Sequence, residues 1–112
     1  MRQPTFFDVD QARSKGHDAA EMAASRADRV SPGWTDAACT AVARFAARHQ
    51  AAWLLEEART YAEAEGLAPP PDKRAWGAVI QILRRRGVVK LVGYGAAVSS
   101  NGSPKCRWCS AR

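Results

Sequence analysis

The side chains that could do chemistry fall into two sets, both in the C-terminal part of this 112-residue chain. The first is a set of cations: Lys73, Arg74, Arg84, Arg85, Arg86, Lys90, Lys105, Arg107 and Arg112, with Asp72 as the single acid after Gly66. Ammonium and guanidinium groups neutralise phosphate or pair with carboxylates. Residues 1–66 carry eight Lys/Arg against ten Asp/Glu, so the net charge of +6 comes entirely from the second part. An asymmetry of this size suggests a surface for an anionic partner, and its plain rival is a device for solubility. The second set is Cys106-Arg107-Trp108-Cys109, the spacing of half a zinc site or of a redox pair. Zinc needs four ligands, and Cys39, His17 and His49 are not paired in sequence. In a strand, residues three apart point to opposite faces. Redox CxxC motifs sit at a helix N-terminus in an α/β pattern, which is missing here. The expectation is therefore no metal and no cofactor.

No phosphate-binding G-x-x-x-x-G-K-[ST] loop, H-E-x-x-H or G-x-S-x-G occurs. His17 and His49 have no nucleophile beside them, and Glu56-Glu57, Glu63 and Glu65 read as solvated helix faces. The chain is expected to be non-enzymatic, with no catalytic residues. No apolar run approaches the roughly 18–20 residues that span a bilayer. The N-terminus lacks the apolar stretch of a secretory signal. The three cysteines suit free thiols in a reducing cytosol. A cytoplasmic protein with no membrane partner is expected.

The elements that must position the cations follow from periodicity. Residues 1–31 read as an accessory helix, capped by Asp8 or Asp10, or as a partly disordered segment. Its stripe of Ala12, Ala19, Ala20, Ala23 and Ala27 buries little, so it would dock loosely or pair with a partner, a homodimer included. Ser31-Pro32-Gly33 breaks it, and residues 32–112 form the main domain. There Thr35 caps a helix with Ala38, Val42, Phe45 and Ala46 inward, and Trp34 stands as a staple residue before the cap. A second helix spans about Ala52 to Glu65, with Gly66 ending it. Ala68-Pro69-Pro70-Pro71 is a stiff connector. Asp72 caps a third helix from Lys73 to Arg86, with Trp76, Val79, Ile80 and Leu83 on one apolar face. The period then changes to two: Val88–Tyr94 is a strand, Asn101-Gly102 a turn, and Lys105–Ser110 a returning strand.

This order is α+β and mostly helical, and it resembles the winged helix-turn-helix family over Trp34 to Arg112. The resemblance implies three helices, a C-terminal β-hairpin wing and, here, an N-terminal accessory helix. It makes the helix after Asp72 a recognition helix, Gly87-Val88-Val89-Lys90 the entry to the wing, and Asn101-Gly102 the wing's turn. The Pro-rich connector is longer than the family's turn. The segments Pro32-Gly33-Trp34-Thr35, Gly66-Leu67, Pro70-Pro71-Asp72, Arg74-Ala75-Trp76-Gly77 and Gly93-Tyr94 also look like small phage- and prophage-encoded proteins of proteobacteria.

A recognition helix buries one side and offers the other to the major groove. Lys73, Arg74, Gly77 and Gln81 suit the offered side. Gly77 allows close approach, Gln81 can pair with adenine and Arg74 with guanine. Arg84 and Arg85, with Arg86, would reach phosphates, or merely complement the helix dipole. Lys90, Lys105 and Arg107 would hold the neighbouring backbone from the wing. The expected function is duplex DNA binding by a phage or prophage regulatory factor in the bacterial cytoplasm. The alternative is a protein-interaction module that inhibits a host nuclease or defence complex.

Overall fold

Apolar spacing and glycine stops divide the chain into elements close to those expected, with one strand added. The computed structural model describes residues 6–96 and 104–111, with the side chains of 18–94 and 106–111. The elements are α1 (Phe6–Val30), α2 (Trp34–Arg48), β1 (Trp53–Leu54), α3 (Leu55–Ala64), α4 (Ala75–Arg85), β2 (Val89–Ala96) and β3 (Pro104–Ser110). This is a mostly helical α+β fold with a small antiparallel sheet in the order β1-β3-β2.

α4 lies at the centre. Trp76, Val79, Ile80 and Leu83 are all buried, as their helical spacing requires. Trp76 meets Trp34 of α2 edge-to-face at 5.2 Å, an arrangement that favours the ring quadrupoles. Trp34 itself is the first residue of α2, not a staple before its cap, and its indole N–H donates to the Ala68 carbonyl at 2.8 Å. That bond pins the proline connector to the core. The helix ends by the expected glycine stop. Gly87 adopts φ +72°, and the N–H groups of Gly87 and Val88 donate to Arg84 and Leu83. α3 closes the same way at Gly66, with Leu67 donating back to Ala62.

The second expected helix starts later than its periodicity suggests. Trp53 and Leu54 form β1, where Trp53 faces Trp108 of β3 and Leu54 faces Arg107. The Glu57 carboxylate accepts the Leu54 N–H at 2.7 Å, so α3 begins just after an extended residue. Trp53 and Leu54 fit a helical stripe as well as a strand, and pairing with β3 decides between them. α4 likewise begins at Ala75 rather than Lys73. Residues 72–74 form a tighter lead-in in which Ala75, Trp76 and Gly77 donate to carbonyls three residues back.

α1 departs furthest from expectation. It begins at Phe6, so Asp8 and Asp10 lie within the helix and not at its N-cap position. Ala20, Ala23, Ala24 and Ala27 belong to the same buried cluster as Trp34 and Trp76. Residues 20–27 therefore pack into the same core as α2 and α4, and Ser31–Gly33 is a turn between packed helices. At about 0.8 kcal/mol per buried methyl-sized group, the four alanines contribute on the order of 3 kcal/mol. A further tie is polar: the Asp28 carboxylate accepts the Thr35 backbone N–H at 2.8 Å and the Thr35 hydroxyl at 2.9 Å. The start of α2 is thus capped by α1 and not by Thr35, because Gly33 at φ +80° stands at the N-cap and has no side chain to offer.

Candidate nucleic-acid interface

A helix of about 3.6 residues per turn sends successive side chains about 100° apart. Arg84, Arg85 and Arg86 at the end of α4 therefore splay in three directions. The Arg84 guanidinium lies 5.9 Å from the centre of the Trp108 ring, on the sheet side. Arg85 lines a cleft against α1. Arg86 acts on the thiol of Cys39 in α2, where it opposes, without overcoming, the burial that pushes that thiol above its ordinary value. All three are exposed. They surround the negative end of the α4 dipole and do not form one stripe.

The other end of α4 holds Lys73 and Arg74, both exposed. Arg74 is paired with the neighbouring acid. Its Nη2 donates to Asp72 Oδ2 at 2.7 Å, and its Nε lies 3.0 and 3.2 Å from the two carboxylate oxygens. The bonds from Arg74 hold the Asp72 carboxyl below its usual range, and Arg26 of α1 adds to that. The same bonds raise Arg74 above its ordinary value. An acid two residues before an arginine was the visible signal for this pairing.

The middle of α4 lies against α1. Gly77, Ala78 and Gln81 face α1, on the side opposite Trp76, Val79 and Leu83. A Cβ built on Gly77 would stand 3.4 Å from the Ala20 Cβ. Ala78 is buried, and Gly77 and Gln81 are half-buried. Ala20, Glu21, Gly77, Ala78, Gln81 and Arg85 line an open cleft of about 120 Å³. The middle of the face expected to be offered to a groove thus lies half-buried against the chain's own first helix. The alanine stripe was legible, but its target was not, because Gly77 gives no apolar signal.

The hairpin brings two cations together. In β3, Trp108 points into the core and Arg107 away from it; in β2, Val89 is buried and Lys90 exposed. Lys90 pairs with Cys109 and Arg107 with Gly93, so both cations lie on the outer sheet face. A bulge between Leu91 and Gly93 interrupts the register, and Val92 and Tyr94 beside it are exposed. Tyr94, 67% exposed, is an aromatic that charge arguments overlooked. Lys105 pairs with Gly95 through its backbone, while its side chain, like Asn101-Gly102 and Arg112, lies outside the described residues.

Cys106 and Cys109 sit in β3 opposite Tyr94 and Lys90, on opposite faces of the strand. Among the described residues no three His, Cys, Asp or Glu side chains converge as a metal site. No helix of the described residues is long and apolar enough to cross a membrane. Among the described residues, Lys73, Arg84, Arg85, Arg86, Lys90 and Arg107 make no ion pair with a carboxylate. Comparison with known proteins adds no family: no protein-family model, no curated protein and no solved structure matches the chain.

Proposed function

We propose that this chain is a winged-helix protein that binds nucleic acid, duplex DNA in the first instance, chiefly through phosphate. The observation that carries the reading is that, among the described residues, six exposed cations have no carboxylate partner, in a segment that holds a single acid. The order α2, α3, α4 and a C-terminal hairpin supports the winged-helix architecture. Lys90 and Arg107 on the outer sheet face form the main phosphate-holding part, and Arg84 by Trp108 adds a cation on the other side of the sheet. Gln81 and Gly77 are covered, so base reading is not the main source of affinity in this arrangement. A phage or prophage accessory role fits such a small basic protein.

Anisotropy of a labelled random-sequence duplex across ionic strength tests the reading. Affinity should fall steeply with salt, and Arg84→Glu and Arg107→Glu should each weaken binding about tenfold and lower the log–log salt slope by about one. Binding indifferent to salt and to both reversals rejects it.

A second reading keeps the architecture and changes the partner. The cover that α1 places over Gly77 and Gln81 favours a protein-interaction module docking on an acidic patch of a host nuclease or defence complex. In that case the duplex would bind poorly, while Arg107→Glu would abolish capture of a discrete partner from nuclease-treated host lysate.

A further inference from the structure

We infer that α1 is a built-in competitor for the nucleic-acid face of α4, so that groove docking by Gly77 and Gln81 requires the Ala20–Ala24 stretch of α1 to leave. This rests on the nucleic-acid reading above and says which surface is withheld, by what, and how it is released.

Three observations carry it. The first is steric. A helix with side chains is about 10–12 Å across, and a B-form major groove is about 12 Å wide. α4 alone fits the groove, whereas α4 with α1 against Gly77 does not. The second is electrostatic. Glu21 lines the same cleft as Gln81 and Arg85. Glu21 makes no ion pair with Arg85, but a carboxylate lining the same cleft repels a phosphate that approaches this cation. The third is the make-up of the contact. Gly77 and Ala78 meet a helix whose buried positions among the described residues are all alanine, and the cleft between them is left partly open. Such a contact holds the helix without large interdigitating side chains. The far end of α1 is held differently, by Asp28 on Thr35. Release therefore involves the part before Asp28, with the cap of α2 intact.

Closed and open forms then differ in what they can bind. The closed form reaches phosphate through Arg84, Lys90 and Arg107. The open form adds Gly77, Gln81 and Arg85. A duplex with greater affinity for the open form draws the population toward it.

The geometry supplies a lock. The Ala20 Cβ lies 3.4 Å from the position of a Cβ on Gly77, close to the separation that a disulfide spans. The A20C/G77C variant, with C106S and C109S to remove the other half-exposed thiols, can be compared oxidised and reduced. Thermal melts establish that both forms are folded. The oxidised form should bind duplex at least tenfold more weakly than the reduced form of the same variant. Equal affinity in the two redox states overturns the inference while leaving phosphate binding in place. No duplex binding by the parent at low salt overturns the nucleic-acid reading, and this inference with it. An arm independent of any cross-link compares E21Q with E63Q, which removes one exposed carboxylate from α3 for the same change in net charge. E21Q should bind several-fold tighter than E63Q; equal affinities count against a competing role for Glu21.

Discussion

On one side of α4, Trp76, Val79, Ile80 and Leu83 pack among Trp34, Phe45 and Trp108, with rings in edge-to-face contact. On the other side, Gly77 and Ala78 lie against a row of methyl groups from α1. Both sides bury apolar surface, but by different means. Large side chains lock into one another and resist separation. A glycine against alanines gains its contact from backbone closeness, which is specific in shape and modest in energy. The same helix is thereby fixed to the sheet side and α2 by the first kind of packing and covered by α1 through the second. One helix is thus held by interlocking side chains on one flank and by close backbone approach on the other.

Substitutions should separate the two flanks. The largest effect is expected of Trp76→Ala, which empties a site that is 1% exposed and removes the partner of Trp34. A loss of about 3–5 kcal/mol, read by urea unfolding, follows from such truncations. Next comes Gly77→Leu, whose side chain would run into Ala20. Forcing bulk into that contact should cost about 1–3 kcal/mol. Hydrogen exchange should quicken in residues 18–27 while α4 and β2 keep their protection. If Gly77→Leu instead unfolds the whole chain as Trp76→Ala does, the two flanks are equivalent and the comparison fails.

Asp28→Ala sharpens the view of the α1 end that is tied down. Loss of a helix cap costs about 0.5–2 kcal/mol, and the amide of Thr35 should lose protection first. The smallest effect belongs to Asp72→Asn. Because the Asp72 carboxyl is held below its ordinary range, its contribution is complete above that range and is lost as pH falls through the lowered value. The variant should therefore lack this acid-side dependence, be little changed in stability at neutral pH, and bind duplex slightly better as Arg74 is released. Carbon-detected titration of the Asp72 carboxyl in the parent, giving a midpoint at or above 3.8, would remove the basis for that expectation.

The inward faces of α2 and α4, and the stops at Gly66 and Gly87, were legible because each rests on local spacing or on a backbone conformation that glycine alone adopts easily. The return of the chain as a hairpin was legible from the change of period after Gly87. β1 was not, since two residues carry no period and the strand exists through its partner Trp108. The cap on α2 was missed for a related reason: a local rule pointed to Thr35, but the acceptor came from Asp28 on another helix. For the candidate interface, residue types were visible and their directions were not. Three consecutive arginines read as one basic run and project three ways. Gln81 read as available because nothing about Ala20 and Gly77 announces how closely two helices approach.

β1 covers very little of its neighbour. It pairs with Trp108 and Arg107 of β3, and the stretch of β3 from Pro104 to Cys106 has no strand of β1 beside it. That leaves a border at which main-chain donors and acceptors could recruit another chain. Pro104 brings no N–H to the border, and Lys105 and Arg107 give it like charge in any second copy. Such residues blunt exposed borders of sheets against self-association. The cations expected to attract phosphate would thus also keep the hairpin from stacking with its own kind, and neutralising them should cost solubility as well as affinity.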